Sequence, residues 1–146
     1  MSQLIYLLDT NIISEPTKAK PAENVIQKLA ENLEYSCISS IVWAESLTGV
    51  KQLPEGKRKT GLFDFLIENV QKMYEIIPFD ASCASIYSDI AQKLKENSNP
   101  VPQFDMLIAA TAIANNLILV TRNTADFAPI AEVSNLIIEN WFEKDY

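Results

Sequence analysis

Short apolar runs that stop at polar residues alternate along this chain with longer stretches whose apolar residues recur at helical spacing. That alternation is the feature that most narrows the fold. Ile5 to Leu8 reads as a buried strand halted by Asp9. Between residues 22 and 33, Ala22, Val25, Ile26, Leu29, Ala30 and Leu33 share a helical face. Tyr35 to Ile38 reads as a second strand, with Ser39 or Ser40 as N-cap of a helix from about Ile41 to Gly49. Val50 to Lys59, broken by Pro54 and Gly56, is a polar connection. A helix over 60–73 is expected to turn Phe63, Leu66, Ile67 and Val70 inward, and Tyr74 to Ile77 is a strand closed by Pro78.

Asp80 is placed to cap the next helix, whose inner face holds Cys83, Ile86, Tyr87, Ile90, Ala91 and Leu94. A turn at 97–100 leads to a helix from Pro102 to Asn115 that is apolar nearly all round. Its alanines suit close contact with a sheet. Leu117 to Val120 and Leu136 to Ile138 read as strands. The expected fold is a three-layer α/β/α arrangement with a central, mostly parallel sheet and right-handed crossovers. A chain of 146 residues is expected to form one domain spanning 1–146.

Several chemistries are excluded by what the chain lacks. It has no histidine, which removes Ser-His-Asp and Cys-His catalysis, histidine acid–base ribonuclease chemistry and histidine-ligated zinc. Gly49, Gly56 and Gly61 form neither a dinucleotide fingerprint nor a phosphate-cradling loop. Cys37 and Cys83 sit in apolar segments without CxxC spacing and are expected to be reduced core residues. Leu4 to Leu8 is too short for a signal-peptide core, and no apolar segment is long enough for a bilayer, so a soluble cytoplasmic protein is expected. A net charge of −7 argues against a protein that coats nucleic acid, but not against one that meets it through a metal. The dense basic run is Lys57-Arg58-Lys59, with Lys51 nearby. It reads equally as a solvated surface and as a contact for phosphates.

Ligands of open parallel sheets sit beyond the carboxyl ends of the strands. Those ends carry Asp9-Thr10-Asn11 after the first strand and Thr121-Arg122-Asn123 before Asp126. Asp9 suits a helix cap and a functional carboxylate about equally. Glu45 shares a helix face with Ile41, Val42, Thr48 and Gly49, which points a carboxylate toward the core, where it is costly unless paired or bound to a metal. Asp105 is the single acid of its apolar helix and lies in the first turn, a position the helix dipole alone would favour. Asn123 can begin a turn and Asp126 can cap a short helix through Phe127, while Arg122 can neutralise the acids. Three or four oxygen ligands without His or Cys suit Mg²⁺ or Mn²⁺, and such sites commonly serve phosphodiester chemistry.

Four segments resemble the acidic motifs of PIN-domain nucleases, and especially the VapC toxins of toxin–antitoxin pairs. They are Leu7-Leu8-Asp9-Thr10-Asn11, then Ile38 through Glu45, then Asp105 through Ala112, and Val120 through Phe127. Their order and spacing resemble the family over essentially the whole chain. The resemblance implies a metal-dependent endoribonuclease, often a homodimer, restrained by a cognate antitoxin and leaving 5′-phosphate and 3′-hydroxyl ends. It implies Asp9, Glu45 and Asp105 as ligands of the catalytic Mg²⁺ or Mn²⁺, Asp126 as a further catalytic acid, and Asn11, Thr121 and Asn123 in support. Asn123 departs from the Asp frequent at its position, which bears on a second metal. Two alternatives remain: a PIN-like regulatory protein that binds RNA or a partner without cutting, and a metal-dependent phosphatase. Asn11, where a phosphatase would carry the second acid of an Asp-x-Asp pair, counts against the latter.

Overall fold

The computed structural model describes residues 3–144, so the expected domain of 1–146 extends past the described residues at both ends. A five-stranded parallel sheet forms from β1 (Tyr6–Leu8), β2 (Ser36–Ser39), β3 (Glu75–Ile77), β4 (Ile118–Val120) and β5 (Ile138–Glu139), in the order β3-β2-β1-β4-β5. Tyr6 lies opposite Ser36 on one side and Ile118 on the other, so β1 is central. Leu7, Leu8, Ile38, Leu119 and Val120 are buried and form the middle of the core. Strands covered on both faces need this near-continuous apolar character.

The chain runs from β1 outward to β2 and β3, then returns to β4 and β5 on the other side of β1. With right-handed crossovers, this reversal places the helices between β1 and β3 on one face and those after β3 on the other. The first set is α1 (Thr10–Ile13), α2 (Glu23–Glu31), α3 (Ser40–Lys51) and α4 (Lys57–Phe65). The second is α5 (Ala81–Glu96), α6 (Gln103–Ala114) and α7 (Thr124–Glu132), which pack on one another.

Side-chain caps start α1, α3 and α5. Ser39 accepts a hydrogen bond from the Val42 N–H at 3.0 Å and starts α3; Asp80 accepts one from Cys83 N–H at 3.1 Å and starts α5. At the end of α6, Asn116 adopts φ 56°, with Leu117 N–H donating to the Ala112 carbonyl at 2.9 Å. Asn tolerates this left-handed stop better than most residues. Ile108, Ala109, Ala110 and Ala112 are buried, so the small side chains let α6 press close to its neighbours.

The structure departs from the sequence reading in three places. The helix expected over 60–73 begins at Lys57 and widens into a π-helical segment, Leu66–Gln71. Phe63, which precedes that segment, is exposed, Leu62 and Phe65 pack inward in its place, Ile67 is half-buried, and Leu66 and Val70 are buried as expected. The edge strand expected at Leu136 to Ile138 pairs only over Ile138–Glu139. The short α1 directly after β1 has no counterpart in the reading above. Cys37 and Cys83 are both free and buried, and burial pushes the Cys37 thiol up to about 12. No helix among the described residues is long and apolar enough to cross a membrane.

Candidate active site

β1 and β4 are paired neighbours, and both end at the same edge of the sheet. Asp9 follows β1 and is buried at the N-cap of α1, where its Oδ1 accepts the Thr10 N–H at 2.8 Å. Thr121 follows β4, is fully buried, and donates its hydroxyl to Asp9 Oδ2 at 2.8 Å. Asn11 ties the two strand ends together: its Nδ2 donates to Asp9 Oδ2 and to Thr121 Oγ1, each at 3.3 Å. Its Oδ1 accepts the Arg122 N–H at 3.0 Å. Thr121 Oγ1 also accepts the Asn123 N–H at 3.0 Å. The Asp9 carboxylate is therefore fixed in orientation by residues from both central strands. Its capping role and a functional role are compatible, because the cap uses Oδ1 and the cross-strand bonds use Oδ2.

Glu45 projects from α3, half-buried, and accepts the Thr10 hydroxyl at 3.3 Å. Sequence reasoning passed over Thr10 as the link between the first two acidic positions. Asp105 occupies the first turn of α6 and is half-buried. Asp126 lies in the first turn of α7 and is exposed. It is not the cap of α7; Asn123 stands at that position and makes no side-chain capping bond.

The acids act on one another. Burial raises the Asp9 carboxyl above its usual range against the hydrogen bonds from Thr121, Thr10 and Asn11, and the charge of Asp126 adds to the rise. Glu45 is raised by burial, then by the charge of Asp9, against its bond from Thr10, with Asp105 adding to the rise. Asp105 is raised to about 6 by burial, then by Asp9 and Asp126. Like charges held together in this way favour protons or a cation.

Among the described residues no three acidic, His or Cys side chains converge closely enough to ligate one ion directly. Asp9, Glu45 and Asp105 are thus brought into one electrostatic neighbourhood without forming a closed chelate. The donors are carboxylate oxygens, which fit a hard divalent cation, and their separation suits one that keeps several waters, as Mg²⁺ does.

Arg122, expected to neutralise this group, lies over the Phe142 ring at 4.4 Å from its centroid, and its charge helps lower the carboxyl pKa of Glu15. Glu15 was not singled out in the sequence. It is buried, accepts the Ala22 N–H at 2.8 Å and pairs with Lys18 at 2.8 Å, clasping the loop between α1 and α2. A carboxylate beside Pro16 carries no local sign of such burial, which arises from how the loop folds back.

The PIN domain family model matches residues 6–133. Toxin FitB of Neisseria gonorrhoeae is 38% identical over 126 residues, covering 84% of this chain and 91% of that protein. Ribonuclease VapC2 of Rickettsia felis is 35% identical over 140 residues, covering 94% and 98%. The crystal structure of FitAcB from Neisseria gonorrhoeae superposes with a TM-score of 0.86 at 34% identity, over 96% of this chain and 100% of that one. With a family match across nearly all of the sheet and the acids at its carboxyl edge, this chain belongs to the PIN-domain family, whose ribonucleases generally use a divalent metal.

Proposed function

We propose that this chain is a divalent-metal-dependent endoribonuclease, the toxin of a toxin–antitoxin pair. It forms one nuclease domain over residues 1–146 and works in the cytoplasm as a homodimer restrained by a cognate antitoxin. The observation that carries the reading is the set of mutually repelling acids, Asp9, Glu45, Asp105 and Asp126, at one edge of a PIN-domain sheet. Relatives named a ribonuclease and a toxin support the choice of RNA and of a partner.

Asp9, Glu45 and Asp105 would hold Mg²⁺ or Mn²⁺ with water completing the bridge between them and the ion. The chemistry such an ion would supply there is a water of lowered pKa and compensation of phosphate charge in phosphodiester hydrolysis. Asp9 supplies a fixed oxygen, because Thr121, Thr10 and Asn11 hold its orientation. Glu45 and Asp105 bind protons more tightly than free carboxylates do, so they must release them to act as ligands, and metal affinity rises with pH. Asp126, in the first turn of α7, contributes negative charge from the open side. Asn123 offers only a neutral oxygen, so a second ion there must lean on Asp126 or on the substrate.

The test is incubation of the purified chain with total RNA, and separately with a small phosphate ester, with and without Mg²⁺ or Mn²⁺. RNA should be cut only with metal, the ester should remain intact, and Asp9→Asn should be inactive. Full activity of Asp9→Asn, or activity in excess EDTA, would refute the assignment. Expression of the chain without a partner should slow growth, and Glu45→Gln should relieve it; equal growth of both would remove the toxin reading and leave the nuclease.

A further inference from the structure

We propose that Arg58 anchors the RNA backbone beside the acidic site, taking a phosphate close along the strand to the one that is cut. The inference rests on the ribonuclease reading above and goes beyond it by naming a substrate-binding residue that lies outside the acidic motifs.

The basic run Lys57-Arg58-Lys59 opens α4, and the fold divides it. Lys59 is turned back on the preceding loop, donating to Glu55 Oε1 at 2.7 Å and to the Lys51 carbonyl at 3.2 Å. Its charge is already matched. Arg58 makes no ion pair with the described residues and instead lines a cleft of about 250 Å³ between α1, α3 and α4. Thr10 and Glu45 line the same cleft, so it opens onto the acidic site. Lys57 is exposed and takes no part in the lining.

Three features of the molecule join the guanidinium to a phosphate. First, a chain with net charge −7 and four clustered acids repels RNA, so productive binding needs a cation within reach of the site. Arg122 is already seated on Phe142, whereas Arg58 stands ready. Second, Ile13, Leu62 and Phe65 also line the cleft. Arg58 is itself exposed beside these apolar side chains, so its guanidinium is open to a strand arriving from solvent. Third, Arg58 and Glu45 line one and the same cleft, so a strand whose scissile phosphate lies by Glu45 can bring another of its phosphates to Arg58. The planar fork of Arg suits two oxygens of such a phosphate.

The experiment is steady-state cleavage of a single-stranded RNA in Mg²⁺ over a series of KCl concentrations, using Arg58→Ala, Arg58→Lys, Lys57→Ala and Lys59→Ala. Arg58→Ala should raise KM about tenfold, the size of one lost charge-assisted bond, and leave kcat near wild type, as loss of uniform binding does. The slope of log kcat/KM against log salt should become shallower by about 0.7, the value for one phosphate on a single strand. Arg58→Lys should restore the slope and only part of KM. Lys57→Ala and Lys59→Ala should match wild type. An unchanged salt slope in Arg58→Ala overturns the proposal while leaving the ribonuclease intact. So does a variant that cuts RNA as wild type does but escapes its antitoxin, which would assign Arg58 to the protein partner. A wild-type chain that cuts no RNA overturns the functional reading and this inference together.

Discussion

Replacing Asp105 by Asn separates the cost of clustering carboxylates from the gain of binding a cation. Burial and then the charges of Asp9 and Asp126 raise its carboxyl from 3.8 to about 6. Each pH unit of such a rise corresponds to about 1.36 kcal/mol, which sets a ceiling of about 3 kcal/mol. Asp105 is only half-buried, so solvent screening removes roughly half of that. Its place in the first turn of α6 gives roughly 0.3–1 kcal/mol back to the anion. About 1 kcal/mol remains. Asp105→Asn should therefore stabilise the metal-free chain by about 1 kcal/mol at pH 7.5, or roughly 2–4 °C in Tm. The sign depends on pH. A carboxyl that binds its proton more tightly when folded makes the folded state most favoured at low pH, and that advantage drains away as pH rises from about 4 to about 6. The wild type should lose stability across that window from this group, the Asn variant should not, and the two should converge near pH 4. Thermal unfolding followed by circular dichroism in EDTA, at pH 4 and pH 7.5, measures both. Saturating Mg²⁺ at pH 7.5 should then reverse the order, because only the wild type gains binding free energy, about 2.7 kcal/mol at a hundred times Kd. A variant that melts below wild type in EDTA at pH 7.5, or a gap that persists unchanged at pH 4, refutes the reasoning.

Two further substitutions probe the frame around the acids. Thr121→Val removes the buried donor to Asp9 and the acceptor for Asn123 N–H and Asn11, so it should lower stability by about 1–3 kcal/mol and weaken metal binding, read by denaturant unfolding and Mn²⁺ titration. Asn123→Asp should shift the Mg²⁺ requirement for cleavage to lower concentration, since it supplies a charged ligand; an unchanged requirement would remove Asn123 from the metal's surroundings.

The sheet was legible because strands buried on both faces must be apolar. Leu7, Leu8, Leu119 and Val120 have almost no exposed surface, and their segments announce themselves. The edge was less legible. Glu139, not Leu136, pairs in β5, because an edge strand's limits follow a neighbour's register and not its own hydrophobicity. The π-helical segment was invisible for a similar reason: a widened turn is a backbone choice that leaves the spacing of Phe63, Leu66 and Val70 looking helical. Within the site, the acids showed as interruptions of apolar pattern, and Asp9 is as buried as that pattern implied. The Thr10–Glu45 bond and the clasp at Glu15 did not show, since each joins segments whose approach only the assembled fold decides. Likewise the run at 57–59 read as a single charge block until the fold sent Lys59 to Glu55 and left Arg58 in the cleft.

The central position of β1 has a consequence for how the molecule comes into being. Asp9 and the Thr121 that orients it are separated by 112 residues. A growing chain emerges from the ribosome N-terminal end first, and it can pair β1 with β2 early. The other edge of β1 stays bare until β4 arrives. Until then Asp9 lacks the bond from Thr121, and the α7 acid has not been made. The orientation of Asp9 is thus a property of the assembled sheet, completed only when the two strands flanking β1 are both in place.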